Sequence, residues 1–143
     1  MNEASETPAA ATDDEIRAIL ARAKTIAVVG LSDKPERDSH HVAAYLQSHG
    51  YRIIPVNPNA AEILGERAYA SLREVPVPVD VVDIFRQPAV VPALVAEAIA
   101  IGAKVVWMQE GIVHETAAAA ARTAGLTVVM DRCLLKEHRR LTP

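Results

Sequence analysis

The residues best suited to chemistry lie in one segment near the start of the chain. An apolar run, Ile26 to Val29, ends at Gly30, and a polar loop over residues 31–38 leads to a helical pattern that begins at Ser39. This order is typical of a strand, a loop and a helix N-terminus. Because the first turn of a helix carries free N–H groups and the positive end of the helix dipole, such a loop suits a pyrophosphate group. The segment therefore predicts a site for a nucleotide-type cofactor.

Four further apolar runs are each followed by a loop with polar side chains or proline. In an open parallel sheet, ligands bind outside the carboxyl ends of the strands, near the point where the strand order reverses. The loops that follow the strands are therefore the candidate binding surface, over residues 30–38, 57–59, 85–88, 109–112 and 131–133.

The elements that must position these loops alternate along the chain. A capping box at Thr12–Glu15 starts the first helix. The predicted helices span about residues 12–23, 39–49, 88–101 and 114–124, with a short helix at 71–74, and the predicted strands span 25–29, 52–56, 79–84, 104–108 and 126–130. This alternation predicts an α/β fold: a single Rossmann-like domain with a parallel five-stranded sheet of order 3-2-1-4-5 and helices on both faces.

Composition limits the class of protein further. The chain has 143 residues, half of them hydrophobic, which suits one domain; we assign residues 1–11 to a flexible N-terminal tail and 12–143 to the domain. The net charge is −3 and the basic residues are scattered, so we expect no nucleic-acid partner. No apolar run approaches the roughly 18 residues of a membrane span and the first residues do not resemble a secretory signal, so we expect no membrane partner and a cytoplasmic location.

Two common nucleotide-binding motifs are absent from the first loop. A dinucleotide fingerprint needs the glycines of G-x-G-x-x-G and an acid at the end of the second strand, whereas this chain has Gly30 alone and Asn57 at the acid's position. A Walker loop needs G-K-[ST], which does not follow Gly30. These departures disfavour an NAD-type dinucleotide and P-loop hydrolysis. An NAD-type nucleotide remains one of the alternative ligands.

Five loop motifs resemble a known family. They are Val28–Ser32, Val56–Pro58, Asp83–Pro88, Trp107–Ile112 and Asp131–Cys133. Their sequence and order resemble the stand-alone CoA-binding domain proteins, which are similar to the N-terminal CoA-binding domain of the succinyl-CoA synthetase alpha subunit and of ADP-forming acyl-CoA synthetases. The likeness extends over residues 16–137.

The resemblance implies a cofactor, coenzyme A or an acyl-CoA, and a set of binding residues. It implies that the diphosphate lies against Gly30, Leu31, Ser32, Asp33, Lys34 and Pro35, and the adenine and ribose beside Val56, Asn57 and Pro58. It further implies that the adenosine or upper pantetheine arm contacts Phe85, Arg86 and Pro88, and that Met108, Gln109 and Glu110 line the pantetheine path. CoA brings about four negative charges, and Lys34, Arg37 and Arg86 lie on loops that can meet them.

Two departures from the synthetase pattern affect the prediction. The synthetase subunit has a CoA-binding lysine two residues beyond the proline after its second strand, where this chain has Ala60. The phosphorylated histidine of the synthetase lies in a second domain that has no counterpart here. We therefore expect CoA binding without catalytic activity, no metal, and either a homodimer or a separate catalytic partner. The alternative is an enzyme that handles a thiol or thioester through Cys133, whose pKa a neighbouring arginine would lower.

Simpler structural roles stay open for several of these residues. Ser32 can satisfy N–H groups of its own turn, and Asn57 with Pro58 can simply end a strand. Glu110 can accept from loop N–H groups or from pantetheine amides. A free cysteine such as Cys133 is commonly buried and inert. The basic residues 136–140 are predicted to be a solvated end or a subunit contact.

Overall fold

The central feature of the fold is a sheet of five parallel strands, seen in a computed structural model that describes residues 10–142. The strands of the chain are β1 (Thr25–Val29), β2 (Arg52–Val56), β3 (Glu62–Ile63), β4 (Glu66–Arg67), β5 (Val81–Ile84), β6 (Val105–Met108) and β7 (Thr127–Val129). Strands β3 and β4 form a separate small hairpin, and the other five form the sheet. The predicted α/β fold with a parallel five-stranded sheet is confirmed.

The strand order is β2-β1-β5-β6-β7, which differs from the predicted 3-2-1-4-5 because the third strand of the sheet, β5, pairs with β1 rather than with β2. Strand β2 is suited to the edge because Pro55 lacks an N–H to donate to an outer neighbour. Among the described residues, only Tyr69 pairs with β2 on that outer side: its N–H donates to the Pro55 carbonyl and its carbonyl accepts from the Asn57 N–H. The residues of β5 are all buried, as in an interior strand. The order therefore reverses between β1 and β5.

Helices cover both faces of this sheet. They are α1 (Asp13–Arg22), α2 (Asp38–Ser48), α3 (Val91–Ala100), α4 (Glu115–Thr123) and α5 (Leu134–Leu141), with single 3₁₀ turns at Leu72–Glu74 and Pro88–Val90. One core layer joins α1, α2 and α5 to the sheet through residues such as Ile16, Leu46 and Leu134. The other layer joins α3 and α4 to the opposite face, through Val95 and Ala118 among others. Alternate residues of each strand enter the two layers.

Residues 136–140 were predicted to be a solvated end or a subunit contact, but they belong to helix α5, which packs on the core. Its side chains Leu134, Leu135 and Leu141 are buried in the first core layer. Glu137 is buried too, and its carboxylate accepts from Arg132 and Arg140. These apolar residues, together with the buried His138, repeat at the spacing of one helical face, which is the sequence signal for this helix.

The other predicted elements lie within about two residues of their predicted bounds. The capping box of α1 is present, with the Thr12 hydroxyl accepting from the Glu15 N–H. Strand β5 begins later than predicted, at Val81, and the Asp80 carboxylate before it accepts from the N–H groups of Lys24 and Thr25. Of the predicted tail, only Ala10 and Ala11 lie within the described residues, and Ala11 packs against the core. None of the described helices is long and apolar enough to cross a membrane.

Candidate ligand site at the carboxyl edge of the sheet

A cavity of about 570 Å³ lies at the carboxyl ends of β5 and β6, which we call the edge cavity. Its walls come from the first turns of α2 and α5 and from the loops after β5 and β6. Its volume is typical of small-molecule sites. Of the predicted contact residues, it brings together Phe85, Arg86, Gln109 and Glu110.

Gly30 holds the loop after β1 tightly against the loop after β5. Its φ is +87°, and its N–H donates to the Val56 carbonyl at 3.0 Å. A Cβ at this position would come within 2.6 Å of the Phe85 carbonyl oxygen and 2.9 Å of a side-chain carbon of Arg86. Glycine is therefore required here for both its conformation and its lack of a side chain. The two loops meet where the strand order reverses, between β1 and β5.

The polar groups of the loop after Gly30 are partly used within the loop itself. The Ser32 hydroxyl accepts from the Lys34 N–H at 3.1 Å, and the Ser32 N–H donates to the buried Ser39 hydroxyl at 2.9 Å. Within residues 10–142, no side chain caps the N-terminus of α2, where Arg37 is the capping residue and Asp38 follows it. The first N–H groups of α2 thus receive no side-chain acceptor from their cap position.

Asn57 joins the loop after β2 to the loop after β1. Its Nδ2 donates to the Leu31 carbonyl at 2.9 Å, while its Oδ1 accepts from the Asn59 N–H at 2.7 Å. Asn57 therefore both ends the strand and fixes the neighbouring loop. This use of its amide is structural, as the turn interpretation of Asn57-Pro58 expects.

The remaining predicted contact residues fall into two groups, neither of which lines the edge cavity. The first group has side chains buried in the core, so only backbone atoms of these residues could contact a ligand. It consists of Leu31, Val56 and Met108. The others are exposed on the loops around the cavity: Asp33, Lys34, Pro35, Arg37, Pro58 and Pro88.

Asp83 carries the most unusual carboxyl group of the site. It lies on β5 between Val28 of β1 and Trp107 of β6, and its side chain is fully buried. Gln109 donates through Nε2 to its Oδ1 at 2.8 Å, and among the described residues its Oδ2 has no partner. Burial raises the pKa of Asp83 to about 7, although the bond from Gln109 acts in the opposite direction.

Cys133 is the capping residue of α5, and it lines the edge cavity while remaining mostly buried. Burial raises the pKa of its thiol, and the negative charges of Glu110 and Asp83 add to this effect. The N–H groups of Leu135 and Lys136 favour the thiolate but do not outweigh burial. The expectation that a neighbouring arginine lowers the pKa of Cys133 is therefore wrong, and the thiol is a weak nucleophile at neutral pH.

The rim of the edge cavity carries both signs of charge. Lys136 contacts both carboxylate oxygens of Glu110 at 3.1 Å, and this pairing raises the pKa of Lys136. Arg86 lines the cavity without an ion pair among residues 10–142, and Arg139 lies 5.6 Å from the Tyr45 ring centre. Within residues 10–142 the Glu110 carboxylate therefore pairs with a lysine, and no loop N–H group donates to it.

The predicted loops already included Asp38 and Ile112, but sequence reasoning missed the other cavity residues that the helices contribute. These are His41 and Val42 from α2, and Leu135, Lys136 and Arg139 from α5. His41 and Val42 stand three and four positions after Asp38, which is the spacing of one helical face. The α5 residues were missed because that helix was not predicted.

A second cavity, of about 370 Å³, lies at the opposite end of the sheet. It is lined by the starts of β5 and β6 and by α1, including Ile19 and Asp80. Asp80 already accepts from two backbone N–H groups, whereas Glu15, Arg22, Lys104 and Thr127 supply the other polar side chains of this cavity. Among residues 10–142, no group of three or more His, Cys, Asp or Glu side chains is placed to hold a metal ion.

Fold and site together define a doubly wound α/β domain with a cavity at the carboxyl edge of its sheet, next to the reversal of strand order. Comparison with known families makes this more specific, because residues 24–139 match the model of the CoA binding domain. The chain belongs to the CoA binding domain family.

The chain is also similar to several proteins of known sequence or structure. Protein YneT of Bacillus subtilis is 46% identical over 124 residues, covering 87% of this chain and 92% of YneT. A solved structure of a hypothetical protein from Pyrococcus horikoshii OT3 has a TM-score of 0.91 and 44% identity, with 100% of each chain covered. The ADP-forming acetate–CoA ligase II of Archaeoglobus fulgidus is 34% identical over 76 residues, covering 52% of this chain but only 11% of the ligase.

Proposed function

We propose that this chain binds coenzyme A or an acyl-CoA at the carboxyl edge of its sheet. The observation that carries the proposal is the contact of Gly30 with Phe85 and Arg86 beside the edge cavity, at the reversal of strand order. Family membership supports the same ligand. Gly30 lets the loops after β1 and β5 pack closely at this edge, and a loop that ends at a helix N-terminus here suits a diphosphate.

The residues around the cavity fit the parts of CoA. Its phosphates require cations, which Arg86 and Arg139 supply in the cavity and Lys34 and Arg37 supply on the exposed loop. Its pantetheine arm alternates amides with short apolar stretches. The cavity offers the amide of Gln109 and apolar surface from residues of several elements, Val42, Phe85, Ile112 and Leu135.

We further propose that the chain has no catalytic activity of its own. Cys133, the nucleophile of the alternative hypothesis, is buried, and its pKa is raised rather than lowered. A thiol of this kind reacts slowly because the thiolate is the nucleophile. The alternative keeps one specific observation in its favour, since Cys133 lines the edge cavity.

The binding proposal is tested by thermal denaturation with CoA, acetyl-CoA and NADH at equal concentrations. A ligand present at about 100 times its Kd stabilises the native state by about 2.7 kcal/mol, so CoA is expected to raise Tm and NADH is not. Arg86→Gln should weaken the shift, whereas the matched control Arg73→Gln, an exposed arginine on the 3₁₀ turn at 72–74, should leave it unchanged. Protection by NADH alone would overturn the proposal in favour of the NAD-type alternative.

The enzymatic alternative is tested separately by following thiol release from acetyl-CoA. The proposal expects no release above the uncatalysed rate by the wild-type protein. Release that Cys133→Ser abolishes would instead establish a thioester-handling enzyme. Native mass spectrometry of the same sample distinguishes a monomer from a homodimer, and co-purification from the native cell tests for a separate catalytic subunit.

A further inference from the structure

Asp83 and Gln109 form a buried hydrogen-bonded pair in which one carboxylate oxygen of Asp83 has no partner among the described residues. Asp83 accepts from Gln109 Nε2 through one oxygen, and its second oxygen has no partner within residues 10–142. Gln109 is only 4% exposed, yet it lines the edge cavity. Buried polar groups are nearly always hydrogen-bonded, so an unpaired carboxylate oxygen is a feature that calls for a cause.

The chemistry of the two side chains allows two arrangements of this pair. A charged carboxylate only accepts, so it holds the NH₂ group of Gln109 and turns Gln109 Oε1 away from itself. A protonated carboxyl can donate its O–H to Oε1, which turns the NH₂ group away instead. Because Gln109 lies between Asp83 and the edge cavity, the two arrangements present opposite hydrogen-bonding groups to a ligand.

We propose that Asp83 is a positioning residue that sets which end of the Gln109 amide faces the edge cavity, and that the proton on Asp83 thereby controls affinity for CoA. This inference rests on the proposed function. With Asp83 charged, Gln109 accepts from an amide N–H of the pantetheine arm. With Asp83 protonated, Gln109 loses that role and presents its NH₂ group.

The surroundings of Asp83 place this exchange near neutral pH. Burial raises the pKa of its carboxyl to about 7. The neighbouring strands contribute only apolar side chains beside it, Val28 and Trp107. The titratable and charged groups that face the cavity are Asp38 and His41 from α2, Arg86 after β5, Glu110 after β6, and Cys133, Lys136 and Arg139 from α5.

Asp83→Asn is the variant that separates the two arrangements. Asparagine has the shape of aspartic acid but carries no charge at any pH. An NH₂ group in place of the unpaired oxygen would leave buried donors unsatisfied, so the introduced amide nitrogen is expected on the Gln109 side, donating to Gln109 Oε1. The variant thus holds the arrangement of the protonated wild-type protein at every pH.

The test measures the Kd for CoA by calorimetry at about pH 6 and about pH 8, in the wild-type protein and in Asp83→Asn. The ratio of the two affinities is the readout, because the phosphate monoester of CoA itself titrates near pH 6 and affects both proteins equally. We expect the wild-type protein to bind CoA about three- to tenfold more tightly than the variant at pH 8, the range of one hydrogen bond, and equally at pH 6. An equal ratio at both pH values would overturn the inference.

Two controls separate Asp83 from the other groups of the cavity. His41→Asn and Cys133→Ser replace the imidazole and the thiol that line the cavity, and each should leave the pH-dependent ratio unchanged. In a Gln109→Met background, Asp83→Asn should leave the affinity for CoA unchanged at both pH values, because the amide through which Asp83 acts is gone. An Asp83 effect that persists there would point to a direct electrostatic effect and would contradict positioning.

Nuclear magnetic resonance of the ligand-free wild-type protein tests the same inference without CoA. The side-chain NH₂ signals of Gln109 should shift with pH at the midpoint of the Asp83 carboxyl carbon. If the Gln109 signals do not change as Asp83 titrates, the positioning role is contradicted even if CoA binds. If instead they follow it and CoA does not bind, the proposed function fails while the positioning stands.

Discussion

At the scale of single residues, the lack of a side chain at Gly30 allows the loop after β1 to contact the loop after β5. Gly30 and Gly102 have nearly the same backbone conformation, with φ of +87° and +76°, but their surroundings differ. A Cβ at Gly30 would strike the Phe85 carbonyl, whereas at Gly102 it would meet nothing within 4 Å. Substitutions at these two glycines therefore separate the free-energy cost of a side chain at positive φ from the cost of its clash with a neighbouring loop.

Alanine substitutions at these two glycines make the first prediction. Gly102→Ala is expected to cost about 1 kcal/mol of unfolding free energy, the cost of placing alanine at positive φ. Gly30→Ala should cost clearly more, because Phe85 and its strand must shift, and it should also weaken CoA binding. Chemical denaturation and calorimetry measure the two effects. Equal losses of stability in the two variants would show that the contact with Phe85 is unimportant.

Asp83 makes a second prediction, about stability rather than binding. The usual pKa of an aspartic acid side chain is 3.8, and burial raises the pKa of Asp83 to about 7 in the folded protein. Between these pH values the native state keeps a proton that the unfolded chain has lost, so native stability falls as pH rises through this window. By pH 8 the full cost is present, about 4 kcal/mol for a difference of this size. Asp83→Asn should therefore be more stable than the wild-type protein at pH 8, and this advantage should fade towards pH 4.

Urea denaturation at about pH 4.5 and about pH 8 measures this advantage. A matched exposed variant, Asp14→Asn, should show no comparable pH dependence, since the Asp14 side chain is 95% exposed. A stability difference between wild type and Asp83→Asn that is the same at both pH values would mean that Asp83 titrates alike in the folded and unfolded states.

Much of the candidate site could be predicted at the level of loops but not of side chains. The strand ends and their polar loops follow from apolar runs, and Phe85, Arg86, Gln109 and Glu110 do line the cavity. Met108 does not, because neighbouring strand residues point to opposite faces and its side chain enters the other core layer. The burial of Asp83 could not be predicted either, since it depends on which strands flank β5.

At the scale of elements, the largest differences from prediction have physical signals in the sequence. Pro55 marks β2 as an edge strand, and this excludes the interior place that the predicted order gave it. The sequence of α5 combines buried apolar residues with a run of charged residues, and the charged run made the helical spacing of the apolar residues hard to recognise. Tertiary packing of Leu134, Leu135 and Leu141 in the core holds this helix, and at its exposed side Arg140 forms two bonds to Asp13 of α1, at 2.7 and 3.0 Å.

The docking of α5 makes the third prediction. Glu137 accepts from Arg132 at 3.0 Å and from Arg140 at 2.8 Å, and the two arginines hold the pKa of its carboxyl below the usual value. A carboxylate of this kind stabilises the native state above about pH 4.5, and the contribution is lost as pH falls through its lower folded pKa. Glu137→Gln is expected to cost about 1–2 kcal/mol at pH 7 and little at about pH 3.

Thermal melts of the variant and the wild-type protein across this pH range check the expectation. Asp14→Asn again serves as the control, because its ion pair with Arg17 is exposed and should contribute almost nothing. A loss of stability in Glu137→Gln that persists unchanged at low pH would mean that packing, and not charge, holds this residue.

At the scale of the whole molecule, the two cavities lie at opposite ends of one sheet and differ in what surrounds them. The edge cavity is reached by four loops or helix starts that converge at the carboxyl ends of the strands. The second cavity lies between α1 and the amino ends of β5 and β6. Helices α2 and α5 contact each other as well as the edge cavity, so a ligand there bridges elements that are far apart in sequence.

Hydrogen–deuterium exchange with and without CoA therefore makes a fourth prediction that concerns the entire fold. A ligand in the edge cavity should slow amide exchange in four separate segments, residues 30–41, 85–90, 109–112 and 132–139, because it joins elements that otherwise open independently. Amides that border the second cavity, in residues 15–23, should exchange at the same rate with or without CoA. Arg86→Gln should reduce protection in all four segments together, since they share one ligand. Protection confined to residues 15–23 would move the binding site to the other end of the sheet, and protection of one loop alone would rule out a ligand that spans the edge cavity.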